Sequence, residues 1–433
     1  MPSSPTPDWR ARLTSALLAA CLIATAIDLL PAWRTLDAQP GIDFSHYWGV
    51  AQVRTHLPRD RGNPYRYLDQ YNQLADHLAQ ASGDARWLAA HALRAKFDLT
   101  NTPLLYSVAA LYPARYSRAL TWHRAVEGTC VSLAALLLLA MCGALRPWPL
   151  LLAGLVVAGC APLLLDLEVG NIAGVQLLGL VIAIALARHT PTHTVAGLLN
   201  LAWLPLLTLL KPNFALADAL LWFATLLSLP ADRRLAGFAI SVAGGALGGL
   251  LASHYFSAPA IWLDWLHVLF TDENRLAYDY ELGNYSTALW LARACDFSLH
   301  ATSLALFALV TAVLVLPRYV QGRAMFGPHG LPPARHALAW ASLGIVVSLA
   351  SAPLVWRHYY VLAVIPCAYL LLQTGLGRAA RLLGMLGVLV VTGSVHRAAA
   401  NSFSIDAHSL RVIDCLSWLP LALGLLVARL RSD

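Results

Sequence analysis

Five places in this chain put reactive side chains where long apolar runs end. They hold Asp43 and His46; Asp166, Glu168 and Asn171; Lys211 and Asn213; Asp279, Glu281 and Asn284; and Arg357 and His358. A placed carboxylate can take a proton from an attacking hydroxyl, and a histidine can give or take one. Lysine and arginine can hold an oxyanion through charge-assisted hydrogen bonds. The two D-x-E strings, Asp166/Glu168 and Asp279/Glu281, offer oxygen ligands to a hard cation. Each residue also has an ordinary role open to it. Asp43 suits a helix N-cap, Lys211 a snorkelling helix end, and His358 an interfacial ring satisfied by a neighbouring carbonyl.

Ionisable groups at membrane depth are costly and face a cavity or a partner. Their background here is strongly apolar. Of the 433 residues, 58% are hydrophobic and 12% are charged, about half the charge of a soluble domain. Apolar runs near 20 residues recur from end to end, each long enough to cross a bilayer of roughly 30 Å. The class is an all-α polytopic membrane protein, and residues 1–433 form a single membrane domain. Spans are placed near 13–33, 120–145, 148–165, 171–188, 194–211, 213–229, 235–256, 300–318, 335–355, 356–375, 380–396 and 411–430, about 12 transmembrane helices.

Arginine sets the orientation. With Arg10 and Arg12 in the cytoplasm, the inner loops hold Arg146, Arg188, Arg233, Arg234, Arg318, Arg323, Arg335, Arg378 and Arg381. The short outer turns hold Lys211, Arg357, Arg397 and Arg411. The run at 102–113, opened by Pro103, must then be re-entrant, because counting it as a span would reverse every later loop. The polar clusters all fall on the outer face.

Two long segments, 34–119 and 257–299, also lie outside. In the first, Phe44, Tyr47, Trp48 and Ala51 form a helical apolar stripe, which predicts a helix lying in the membrane interface. A second helix is expected from about Tyr67 to Arg94. The second loop is rich in aromatics, Trp262 and Trp265 among them.

The basic residues form no continuous patch, so the formal charge of +7 reads as topology signal and not as a nucleic-acid surface. The seven cysteines contain no C-x-x-C, and most lie in apolar runs, where cysteine acts as a small hydrophobe. There is no P-loop, no dinucleotide fingerprint, no G-x-S-x-G and no H-E-x-x-H. A transporter or flippase of lipid-linked sugars would also need a polar cavity, but with paired broken helices and related halves. Neither is visible.

Asp43-Phe44 with Tyr47, followed by "GNPY" at 62–65, resembles the start of the membrane-embedded GT-C glycosyltransferases. "EVGNIAGVQLL", "LLKPNFAL", "LGNYSTAL" and "SAPLVWRHYYVL" resemble, in order, further stretches of glycosyltransferase family 87. That family includes polyprenol-phosphate-mannose-dependent mannosyltransferases. Order and spacing agree over about positions 40 to 370. The chain departs from the pattern at Asn171, where glutamine is favoured, and at Ala173, where asparagine is common. It departs again at Tyr285, in place of glutamine, and at Arg357, where an acid is frequent.

The resemblance implies a GT-C-like fold in a bacterial inner membrane, its site facing the periplasm or exterior. It implies inverting transfer of mannose or a related sugar, without metal or cofactor. The donor would be a polyprenyl-phosphate sugar and the acceptor a lipid-linked or envelope glycan. Asp43 would be the base. His358 would share the catalysis, and Lys211, Arg357 and His358 would hold the donor phosphate. Asn171 and Asn284 would read the sugar, and Tyr65, Trp262 and Trp265 would line the acceptor groove.

Overall fold

The computed structural model describes residues 9–97, 99–270, 284–320, 333–397 and 407–431. Among them every regular element is a helix. The chain opens with α1 (Trp9–Thr35), a long apolar helix that runs through Pro31. A cap of short helices follows: α2 (Ile42–His56), α3 (Leu68–Ser82), α4 (Ala85–Leu93) and α5 (Pro103–Ala109). The single helix expected near 67–94 is in fact two, because Gly83 ends α3 in the left-handed region and Asp84 caps α4. The run expected to be re-entrant forms only the seven residues of α5, with Pro103 at its first turn.

The bundle continues with α6 (Tyr116–Met141), α7 (Pro147–Ala158), α8 (Ala161–Val169), α9 (Ala173–His189), α10 (Thr194–Leu210), α11 (Ala215–Ser228) and α12 (Arg234–Phe256). Then come α13 (Ile261–Phe270), α14 (Thr287–Cys295), α15 (Leu299–Val320), α16 (Ala337–Ser351), α17 (Val364–Leu372) and α18 (Arg378–Val391). Helices Ala407–Cys415 and Leu419–Arg431 complete the described chain. A 3-10 stretch, Arg357–Ala363, leads into α17.

Six helical segments are long and apolar enough to cross a membrane, or up to eight if each of two bent pairs is one span. The pairs are α7 with α8, bent by 48°, and α10 with Pro212–Ser228, bent by 117°. The protein is thus a polytopic helical membrane protein. The remaining expected spans correspond to shorter helices such as α9, which is mostly buried among its neighbours.

Small residues let these helices approach, as they do in lipid, where close packing replaces the hydrophobic effect. α12 turns Gly237, Ser241, Gly244, Gly248 and Ala252 inward, and α10 packs on it. A Cβ on Gly244 would stand 2.4 Å from the Ala202 carbonyl oxygen, so a larger residue there would push the pair apart.

The cap has its own core, gathered around α2. Phe44, Tyr47, Trp48 and Ala51 are buried as their spacing predicts, but so are His46, Val50 and Val53. α2 is therefore enclosed by protein and does not lie with one face in lipid. Trp48 meets Trp87 and Tyr116 edge-on at 4.9 and 5.2 Å, and its indole N–H donates to the Pro113 carbonyl at 2.9 Å.

Candidate functional site

Four stretches far apart in the chain bring side chains into hydrogen-bond contact. Asn171 is the hub. Its Nδ2 donates to Asp43 Oδ2 at 2.8 Å and lies 2.8 Å from His358 Nε2. Its Oδ1 accepts from the backbone N–H of Ile172 at 2.8 Å and from the Lys211 ammonium. With lysine on the amide oxygen and a carboxylate on the amide nitrogen, the orientation of the amide is determined. The facing ring nitrogen of His358 must then accept, which leaves its proton on Nδ1.

Local sequence explains how each group arrives. Asp43 sits in the first turn of α2, behind Gly41, which is the N-cap at φ +74°. Asp43 is not the cap. Its carboxylate turns away from the helix N–H groups to Arg94 Nη1 at 3.0 Å and to Asn171. A Cβ at position 41 would also stand 2.6 Å from a Leu120 methyl, so glycine is required there on two counts.

Asn171 follows Gly170, which ends α8 in the left-handed region at φ +74°. Both Gly170 N and Asn171 N donate to the Asp166 carbonyl, at 2.8 and 3.0 Å, closing the helix before the chain turns into α9. A Cβ on Gly170 would meet the Phe44 Cβ at 2.5 Å, which is how α8 and α2 come close enough to share Asn171. Lys211 ends α10 in extended backbone before Pro212, and its carbonyl accepts from Gln176 Nε2 at 3.0 Å. His358 lies in the 3-10 stretch before α17.

Access differs across the cluster. Asn171, Lys211 and His358 are buried, whereas the Asp43 side chain keeps 17% of its surface exposed and its partner Arg94 keeps 36%. The carboxylate is thus the acidic end of a buried polar chain, and it is the end that reaches the outside.

Beneath the hub, two buried carboxyls serve the N-terminus of α9. Glu127 Oε2 accepts from Gly174 N at 2.6 Å and from Val175 N at 3.2 Å. Asp166 Oδ1 accepts from Ala173 N at 3.4 Å. These N–H groups have no partner within their own helix, and negative charge is favoured at that end. Asp43, Asp166 and Glu127 are all electrostatic neighbours of Lys211, so one ammonium faces three carboxyls. Asp166 and Glu168, two apart on a helix, point to different faces and do not form the ligand pair that their spacing allowed. No group of three or more metal-ligating side chains occurs among the described residues. Asp279 and Glu281 lie outside the described residues.

The polar face of α6 locks the arrangement. His123 Nε2 donates to the Asn171 carbonyl at 2.7 Å, and its ring stacks on Phe44 at 4.6 Å. Arg124 donates to the carbonyls of Leu167 and Gln39, each at 2.9 Å. Sequence reasoning missed Arg94, His123, Arg124 and Glu127. "WHRAVEG" carried a signal, since three ionisable groups within one turn of an apolar helix are anomalous.

The other expected site residues fall elsewhere. Arg357 turns its guanidinium toward Gly393, where a Cβ would stand 2.8 Å from Nη2, and not toward Asn171. The Asn284 side chain is occupied by backbone. It donates to the Pro353 carbonyl at 3.0 Å and accepts from Ser286 N and Val355 N at 3.1 and 2.9 Å. It clasps the start of α14 to the segment after α16 and holds no amide toward a ligand.

Tyr65, Trp262 and Trp265 do come together, around the start of α5. Tyr65 donates to the Asn101 carbonyl at 2.7 Å and Trp265 to that of Thr100 at 3.2 Å. Trp262 meets Trp265 edge-on at 5.7 Å. "GNPY" proves to be a clasp. Asn63 donates to Asp264 at 2.6 Å, and Arg66 reaches both oxygens of that carboxylate at 2.8 and 3.1 Å. Tyr71 donates to the Gly62 carbonyl at 2.6 Å, and burial raises its phenol above the usual value, keeping it a donor.

No family model, no curated protein and no solved structure matches the chain.

Proposed function

We propose that the chain is a GT-C-type glycosyltransferase with about twelve crossings, similar to family 87. In this reading it moves a sugar from a polyprenyl-phosphate donor to a hydroxyl of a lipid-linked or envelope glycan at the outer face of a bacterial membrane. The observation that carries the reading is the convergence of Asp43, Asn171, Lys211 and His358, from four of the stretches that resemble the family, on one hydrogen-bonded cluster. The Asp43 carboxylate of that cluster is partly exposed.

The chemistry is a single displacement. The acceptor O–H gives its proton to the Asp43 carboxylate as its oxygen bonds to the anomeric carbon. The bond from that carbon to the phosphate oxygen breaks, and the phosphate leaves with the electron pair. A neutral hydroxyl is a poor nucleophile, so the base lowers the barrier. The leaving phosphate needs cationic partners more than an acid, and Lys211 is the cluster's ammonium. Arg94 holds the Asp43 carboxylate in place through Nη1. His358, with its proton on Nδ1, acts through that nitrogen or after a sugar has displaced Asn171 from Nε2.

Mass spectrometry of lipid-linked and envelope glycans from cells with and without the protein tests this. A glycan lacking one sugar, with build-up of its shorter precursor, is expected when the protein is absent. Unchanged glycans in both would overturn the reading.

A transporter of lipid-linked sugars has one observation in its favour. One bent helix pair, α10/α11, breaks at Lys211 within the cluster, and a second, α7/α8, breaks at Cys160, at the other end of α8 from Asn171; broken helices frame transporter sites. Sealed vesicles separate the two. A transporter moves the intact donor across the bilayer, whereas a transferase breaks the sugar–phosphate bond.

A further inference from the structure

An apolar cavity of about 620 Å³ lies between α1, α6, α7, α17 and α18. It runs the length of α18, from Arg378 and Arg381 to Val391 and Thr392, about 20 Å at the rise of an α-helix. Its size and apolar lining are those of a ligand pocket. Its two ends differ. One end, near Cys160 and Thr392, lies toward the Asp43 cluster. The other carries Ser15, Trp148, Arg378 and Arg381. Both arginines are exposed. A second apolar hollow, of about 740 Å³, adjoins it and shares Ala135, Leu139, Ala153 and Val157 as a common wall.

We propose that this double cavity holds one anionic diacyl glycerophospholipid, its head group on Arg378 and Arg381 at the membrane face opposite Asp43. Charge complementarity selects the head group. Guanidinium groups bind phosphate oxygens bidentately, and basic pockets between transmembrane helices on the cytoplasmic side take acidic head groups. Two adjoining hollows match two acyl chains, where a prenyl chain would need one. Trp148, 44% exposed, lines the cavity together with the arginines, and indoles are enriched at membrane interfaces. The lipid would wedge α7 against α17 and α18, with their apolar side chains on its chains. The proposal does not rest on the transferase reading.

Native mass spectrometry of the purified full chain tests it. The protein is titrated with dioleoyl phosphatidylglycerol or dioleoyl phosphatidylcholine, then with polyprenyl phosphate as competitor. One retained phosphatidylglycerol is expected, at least about tenfold preferred over phosphatidylcholine, as a charged hydrogen bond implies. Arg378→Gln/Arg381→Gln should bring phosphatidylglycerol down to the phosphatidylcholine level with an unchanged melting profile. Ala153→Phe, which fills the shared wall, should remove the adduct while both arginines remain. Equal binding of the two lipids by the wild type would overturn the proposal, as would a preference that survives the double substitution. Displacement of phosphatidylglycerol by an equal amount of polyprenyl phosphate would also overturn it, because the occupant would then be a prenyl chain.

Discussion

Asn171 Nδ2 lies 2.8 Å from Asp43 Oδ2, although 128 positions separate the two residues. The same nitrogen meets His358, and the oxygen of the same amide takes Lys211. One buried side chain therefore sets the relative positions of a carboxylate, an imidazole and an ammonium. Asn171→Ala should lower kcat/KM by roughly 10²–10⁴-fold, since a lost hydrogen bond to a charged group is worth about 1.5–3 kcal/mol and two are lost. Donor-dependent transfer by purified protein measures it. Wild-type turnover in a folded Asn171→Ala variant would remove the hub from the reaction.

Asp43 is free of any capping duty, because Gly41 begins α2. Asp43→Asn and Asp43→Ala should therefore both leave the protein folded, as judged by size-exclusion profile and melting. Asn keeps the side-chain size and the contact distance to Arg94 but cannot take a proton. Transfer should fall by about 10²–10⁴-fold, while binding of the polyprenyl donor persists. Near-normal turnover in Asp43→Asn would leave the base to be sought among other carboxyls.

Lys211 and Arg357 were alike in sequence, each a cation at the outer end of a span. The structure separates them. Lys211 is buried in the hub, and Arg357 faces Gly393. Lys211→Ala should raise the donor KM at least about tenfold, as expected for one charged contact, and lower the folded yield, because Asp166 and Glu127 lose their cation. Arg357→Gln should change donor KM by less than about twofold, having no charged contact in the hub to lose. Initial-rate kinetics over a range of donor concentrations decide between them, and equal effects in the two variants would put Arg357 back at the phosphate.

What could be read from the sequence was the anomaly of polar groups against an apolar background. Asp43, Asn171, Lys211 and His358 stood out because each ended a run that should have been oil throughout, and the four do meet. Arg94 did not stand out, because a single arginine in a polar loop has no local feature that marks it as the partner of Asp43. Glu127, inside α6, did carry a signal as an ionisable group in an apolar helix, but nothing local ties it to the N-terminus of α9, which it meets only through packing. The enclosure of α2 depended on α3, α4 and α6 folding over it, and a local stripe reports only the face that is apolar in any context. Asn284 shows the limit of motif reading. Its place in the chain suggested a ligand contact, but three backbone groups use the amide first. The break at Gly159–Cys160 falls inside the single span expected at 148–165, and the one at Lys211–Pro212 falls between two expected spans, because the bend angles of 48° and 117° are set by packing and not by local sequence.

The cap that carries Arg94 depends on Asp84, and this makes a stability prediction independent of catalysis. Asp84 Oδ1 accepts from Arg86 N at 3.1 Å and Trp87 N at 3.4 Å, capping α4 just before Arg94. The same carboxylate accepts from the Ser117 hydroxyl at 2.6 Å and from Ser117 N at 2.9 Å, tying α4 to the first turn of α6. Burial alone would raise its pKa, but the hydrogen bonds from Ser117, Trp87 and Arg86 outweigh that and hold the carboxyl below its ordinary value. A carboxyl with a lowered folded pKa stabilises fully above its unfolded value, near 3.9, and loses that stabilisation as pH falls through the folded one. Asp84→Ala should cost about 1–2 kcal/mol at pH 7, the range for a lost N-cap. Asp84→Asn, which still caps but carries no charge, should cost less. Thermal melts at neutral pH and at successively lower pH should show the gap between wild type and Asp84→Asn narrowing as the wild-type carboxyl is protonated. A gap that stays constant down to pH values well below about 3 would mean that the charge on Asp84 plays no part in holding α4, and with it Arg94, against α6.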